Sequence, residues 1–138
     1  MNFGKYAILT PVVHTFEKEP QWSWTIKPVT TREELLLSQF LNAERVAVLP
    51  DGARIGRPAT NNDVMIEEVA LTFGGTNIPD DKGNPILKSD ASLDEVKALL
   101  LNMPQEMVVE IWKAVGEAVP GWGPVQPKKK VSSEAPSA

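Results

Sequence analysis

His14 is the only histidine of the chain, and there is no cysteine. Acyl transfer by a Ser/His/Asp arrangement needs a histidine oriented by an acid and set beside a nucleophile. His14 lies between Val13 and Thr15-Phe16, in a short apolar stretch that supplies neither. One imidazole and no thiol leave a nitrogen–sulfur metal site without enough ligands, and rule out disulfides and iron–sulfur ligation within this chain. Gly74-Gly75-Thr76 has the composition of a phosphate loop. Such a loop needs its glycines ahead of a helix and a lysine after them, so that backbone N–H groups point at the anion. Here the glycines follow a helical pattern and no lysine adjoins them, so a helix stop is expected instead. Asp80-Asp81-Lys82-Gly83-Asn84 resembles an ion loop, but a glycine at the sixth position would put the first ligand at Ile78, which has no oxygen to offer in its side chain. It reads as a solvated turn. Glu33-Glu34 and Glu67-Glu68 are adjacent carboxylates. Neighbours on a helix point about 100° apart, so neither pair converges on one substrate atom; solvated faces or cap positions are expected. The catalytic, metal and cofactor sets are therefore empty, and a binding or assembly role stands ahead of an enzyme.

Charge points the same way. The chain of 138 residues has a formal net charge of −4. Residues 125–138 hold three lysines and one glutamate, which leaves residues 1–124 with 11 basic and 17 acidic side chains, or −6. An acidic body disfavours phosphate backbones, so no nucleic-acid partner is expected. Lys128-Lys129-Lys130 is a weak basic signal against that body. No run of 18 apolar residues occurs, and Tyr6-Ala7-Ile8-Leu9 is cut by Thr10-Pro11, so neither a membrane span nor a signal peptide is expected. The chain reads as a soluble intracellular protein.

The elements that would carry these residues follow from periodicity. Tyr6 to Leu9 and Val12-Val13 suggest short strand pieces. Trp22, Trp24 and Ile26 alternate with polar residues, the period of a half-buried strand, and Pro28 ends it. Thr30-Thr31 with Glu33-Glu34 predicts a capped helix start, with Leu36, Leu37, Phe40 and Leu41 toward the core. Val46-Ala47-Val48-Leu49 is too short to type. Pro50-Asp51-Gly52 is a turn, and residues 54–58 read as continuing loop. A second helix is predicted from Thr60-Asn61-Asn62-Asp63, with Met65, Ile66, Val69, Ala70 and Phe73 on its apolar face and Gly74-Gly75 as its stop. Ser92 and Glu95 predict a capping box for a third helix, striped by Leu93, Val96, Leu99, Leu100 and Met103. Asn102-Met103-Pro104 should break the chain, with Pro104 at the favoured first position of a fourth helix. That helix has Met107, Val108, Ile111, Trp112, Val115 and Val119 on one face and Glu106, Glu110, Lys113 and Glu117 on the other. The expectation is a mainly helical α+β domain over residues 1–124, with short N-terminal strands, about four helices and a flexible tail over 125–138.

The order of these parts carries a resemblance: a Trp-containing strand running into Lys27-Pro28-Val29-Thr30 and the Glu33-Glu34 helix; the polar cap Asn61-Asn62-Asp63; Glu68 through Gly74-Gly75-Thr76-Asn77-Ile78-Pro79; Ser92-Leu93-Asp94-Glu95-Val96; the helix through Glu110-Ile111-Trp112-Lys113; and a Pro/Ser/Lys tail. This architecture resembles the tail assembly chaperones of long-tailed bacteriophages. The resemblance implies a non-enzymatic protein of the host cytoplasm, absent from the mature virion. It would bind the tape measure protein, keep it soluble and help recruit tail tube subunits, with self-association of the chain left open. Members are often made in two lengths by ribosomal frameshifting, and Lys128-Lys129-Lys130 lies where a run of adenines would permit one. Candidate partner-binding residues are Met107, Ile111 and Trp112 on the fourth helix and Met65 and Phe73 on the second, although helical stripes more often bury against their own domain. The second reading is a structural virion part, such as a tail-tube or head–tail joining protein.

Overall fold

A computed structural model describes residues 10–43, 45–56 and 59–124, and of Ala47 the backbone only. The expected strand at Tyr6 to Leu9 and the tail lie outside the described residues. The elements are β1 (Val12–Thr15), β2 (Ser23–Ile26), α1 (Thr31–Asn42), β3 (Val46–Val48), β4 (Arg54–Gly56), α2 (Asn61–Leu71), β5 (Phe73–Thr76), α3 (Leu93–Asn102) and α4 (Gln105–Ala118). The fold is α+β and mainly α, as its patterning predicts.

Strands β1, β2 and β5 form an antiparallel sheet in the order β1-β2-β5. Val12 stands opposite Ile26, and Trp24 opposite Thr76. Alternation along β2 sends Trp24 and Ile26 to one face, where the Phe73 ring meets Trp24 edge-on with centroids 5.0 Å apart. Helix α4 packs against β1 and β2, α2 packs on α4, and α1 and α3 pack on α2. Trp24, Ile26, Val69, Val96, Leu100, Val108, Ile111 and Val115 form the fully buried centre.

Local chemistry fixes the helix starts. Thr30 with Glu33, Thr60 with Asp63 and Ser92 with Glu95 each form a capping box, satisfying backbone N–H groups that a helix start leaves without partners. Pro104 is the N-cap of α4 rather than its first helical residue. The break at Met103 and Pro104 separates α3 from α4, as the sequence predicts.

Four further expectations fail. First, α2 ends at Leu71, ahead of the glycines. The Thr72 hydroxyl donates back to the Glu68 and Val69 carbonyls, and Phe73–Thr76 leaves as a strand along β2. Gly74 suits this close approach, since a Cβ there would stand a tight 3.2 Å from the Thr25 carbonyl oxygen. Second, Arg54–Gly56 is a strand, hairpin partner to Val46–Val48; three residues are too few for periodicity to reveal. Third, Leu41 is 41% exposed, and only Leu37 of the α1 stripe is buried. Fourth, Glu67 and Glu68 are buried rather than solvated, because α2 is enclosed on nearly every side.

Candidate functional site

Several of the residues singled out for their chemistry serve the architecture. His14 Nε2 lies 2.5 Å from Glu110 Oε2, and the same oxygen accepts the Glu17 N–H at 3.1 Å. Together they tie the turn after β1 to α4. Neither bond places a nucleophile beside the imidazole. A cavity of about 320 Å³ is lined by Lys27, Arg32, Glu33, Ser89, Asp90 and Ser92 among others, but Glu33 and Ser92 are committed to the caps of α1 and α3. No cluster of three metal-ligating side chains occurs among the described residues.

The densest polar cluster sits under the chain end of the fold. Glu68 Oε1 accepts the Trp112 indole N–H at 2.8 Å and the Gly123 backbone N–H at 2.8 Å. Glu34 accepts the Trp122 indole N–H at 2.7 Å. Residues 119–124 thereby fold back as a strap on α4, with Trp122 buried. Gly121 and Gly123 have φ of +86° and +89°, a region glycine occupies without strain. A Cβ at Gly123 would run into the Gly116 backbone. Burial raises the Glu68 pKa, the Trp112 and Gly123 donors oppose that shift, and the nearby Glu34 adds to it. Glu67 is held differently: the Lys97 ammonium of α3 reaches its carboxylate.

The five candidate partner-binding residues divide. Met65, Phe73 and Ile111 are buried, Ile111 completely; of the three only Met65 reaches the floor of an open groove. Met107 and Trp112 are half-buried and pack against the core. Trp112 is oriented by Glu68 rather than left free. What lies open is elsewhere. Between the start of α2, the end of α3 and the start of α4 is a shallow groove of about 200 Å³, lined by Met65, Ile66, Leu100, Leu101, Met103 and Val108 with Asn62 and Gln105 at its polar edge. Leu101 is 73% exposed. The second open feature is the β3–β4 hairpin, whose Val46, Val48, Leu49 and Ile55 are all exposed. Arg45 fixes its base, donating to the Phe40 and Ala43 carbonyls and lying 4.3 Å from the centre of the Phe40 ring.

No protein-family model, curated protein or solved structure matches the chain. The available reading therefore comes from the geometry and the sequence pattern. Periodicity missed Leu101 because it lies outside the α3 stripe, and missed the hairpin because its strands are so short. The one usable signal for the hairpin was the Pro50-Asp51-Gly52 turn between Val46-Ala47-Val48 and Arg54-Ile55. No described helix is long and apolar enough to cross a membrane.

Proposed function

We propose that the protein is a non-enzymatic phage tail assembly chaperone that shields an apolar stretch of a long helical client, the tape measure protein, in the host cytoplasm. One observation supports this most: the groove at Leu101. An amphipathic helix binds by laying its apolar face into such a groove, and an exposed leucine flanked by Met65 and Met103 offers adaptable apolar contact, since methionine repacks around varied partners. The interface center is thus assigned to Leu101, Met103 and Ile66, with Met65 beneath them, rather than to Ile111, Phe73 or Trp112. Tail tube subunits would be recruited by the client complex, and the role needs no cofactor.

The test is co-expression with the product of the next gene downstream, which this reading expects to be a very long helical protein. The parent chain is expected to keep it soluble and copurify with it, and Leu101→Asp is expected to lose it while retaining the parent's circular dichroism. Retention of the client by Leu101→Asp would sink the groove assignment. Detection of the chain in purified virions by mass spectrometry would favour the structural virion protein over the chaperone.

A further inference from the structure

The β3–β4 hairpin is an arm with a surface that its own domain does not cover. Val46 and Val48 share one face with Arg54, because directly opposed residues in an antiparallel pair point the same way; Ile55 lies on the other face. Val46, Val48 and Ile55 are 47%, 66% and 50% exposed, so both faces of the ribbon carry open apolar surface. A two-stranded ribbon standing by itself is marginal in water, and exposed apolar side chains grouped on one short element mark an interaction surface. Charge says what covers it. Residues 45–56 hold two arginines and one aspartate, a net +1, so the rest of residues 1–124 carries −7. Two arms laid edge to edge would bring arginines together. An arm laid on the body would meet the opposite sign.

The body offers a flank with both required properties. Residues 80–95 hold five acidic and two basic side chains. Asp80, Asp81, Asp90, Asp94 and Glu95 are all exposed. Within the same stretch, Ile86 is exposed as well. We propose that the arm is a self-association element: the β3–β4 hairpin of one copy docks, through the face that carries Val46, Val48 and Arg54, on the acidic flank 80–95 of a second copy. Arg45 is held at the arm's base by the Phe40 and Ala43 carbonyls, where its charge adds to the arm's positive field without contacting the flank. Opposite-signed surfaces speed and orient such docking, and salt weakens it. This surface is separate from the Leu101 groove, so copies can associate whether or not a client is bound.

Sedimentation velocity of the full chain over a concentration series tests the proposal. The parent is expected to associate at low salt and to dissociate as salt rises. Val48→Glu and, independently, Arg54→Glu are each expected to remain monomeric with unchanged circular dichroism. An Asp81→Lys, Asp90→Lys chain is expected to fail to self-associate but to associate when mixed with Arg54→Glu, since its native arm meets that variant's native flank and the two reversed surfaces also match in charge. A parent that stays monomeric at every concentration overturns the proposal. So does association of Val48→Glu equal to the parent's, or failure of the charge-reversed mixture to associate. Client capture is read in a separate assay, so loss of the groove function and loss of self-association are distinguishable: Leu101→Asp is expected to associate like the parent, and Val48→Glu to keep the client.

Discussion

Strands β2 and β3 are built from similar material and meet opposite fates. Trp24 and Ile26 alternate with polar residues in the first, and Val46 and Val48 flank an alanine in the second. Trp24 is fully buried, while Val48 is 66% exposed. The residue types do not account for this. Strand β2 is paired on both sides, by β1 and β5, and α4 packs against it with α2 behind α4. Among the described residues strand β3 pairs with β4 alone, and its Val46 and Val48 stay 47% and 66% exposed. An apolar side chain is buried by what arrives on top of it, and what arrives is set by topology. The body is therefore determined by its own chain, whereas the arm is left with surface to offer.

The strongest way to break this contrast is to truncate Trp24. Removing a buried Trp typically costs about 3–5 kcal/mol, and Trp24→Ala should approach that figure in a urea denaturation series. Trp24→Phe should cost much less. The indole N–H of Trp24 is buried with no partner among the described residues, so phenylalanine keeps most of the apolar contact and removes an unpaired donor. Equal losses for the two variants would mean that the indole N–H is satisfied after all.

The strap comes next. Gly123→Ala puts a methyl group into the Gly116 backbone at a φ of +89°. Overpacking typically costs about 1–3 kcal/mol, and the left-handed backbone conformation adds to it. The same substitution at Gly52, where φ is +88° and the space is open, isolates the backbone part. If both variants lost the same amount, the steric contact at Gly116 would carry nothing.

These two regions also show what the sequence could and could not say. The capping boxes at Thr30, Thr60 and Ser92 were legible because their partners lie three residues away. The break before α4 and the two-faced pattern of α4 were legible for the same reason. Strand β5 was not, because Gly74-Gly75 reads locally as a helix stop, and only the approach to Thr25, about fifty residues earlier, makes it a strand. Burial of Glu68 was equally hidden: its donors are Trp112 and Gly123, both far along the chain. Of the five partner candidates, the apolar stripe named the core well and the surface poorly. A stripe marks what a helix buries, and Leu101 is exposed because it is off the stripe.

Glu68 offers a smaller effect with a definite sign. Its pKa is raised in the folded state, burial being the first cause. Between the ordinary carboxylate value and that raised value, the folded protein binds more protons than the unfolded chain, so this group makes stability fall as pH rises through the window. Glu33 acts in the opposite direction. Its Thr30 hydrogen bonds and Lys27 outweigh burial and lower its pKa, so its contribution is lost as pH falls through its folded value. In Glu68→Gln the fall just above the ordinary carboxylate range should disappear from melting temperatures measured across pH, while the acid-side loss persists. An unchanged profile would show that Glu68 does not titrate differently in the folded state.

The smallest effect belongs to the arm, and its smallness is informative. Val48 is exposed and lies outside the buried core, and surface substitutions away from special features usually stay within about 0.5 kcal/mol. Val48→Ser should therefore leave the unfolding midpoint of the dilute chain where it was, although the same type of change at Ile26 would be severe. Raising the protein concentration sharpens the comparison. If copies associate through the arm, the parent's melting temperature should climb with concentration, because binding to the folded state stabilises it by mass action, and that of Val48→Ser should climb less. A loss of more than about 1 kcal/mol in the dilute variant would mean that the arm packs on its own body. The contrast between β2 and β3 would then be one of degree, with the arm a thin edge of the core rather than a surface kept open for a second copy.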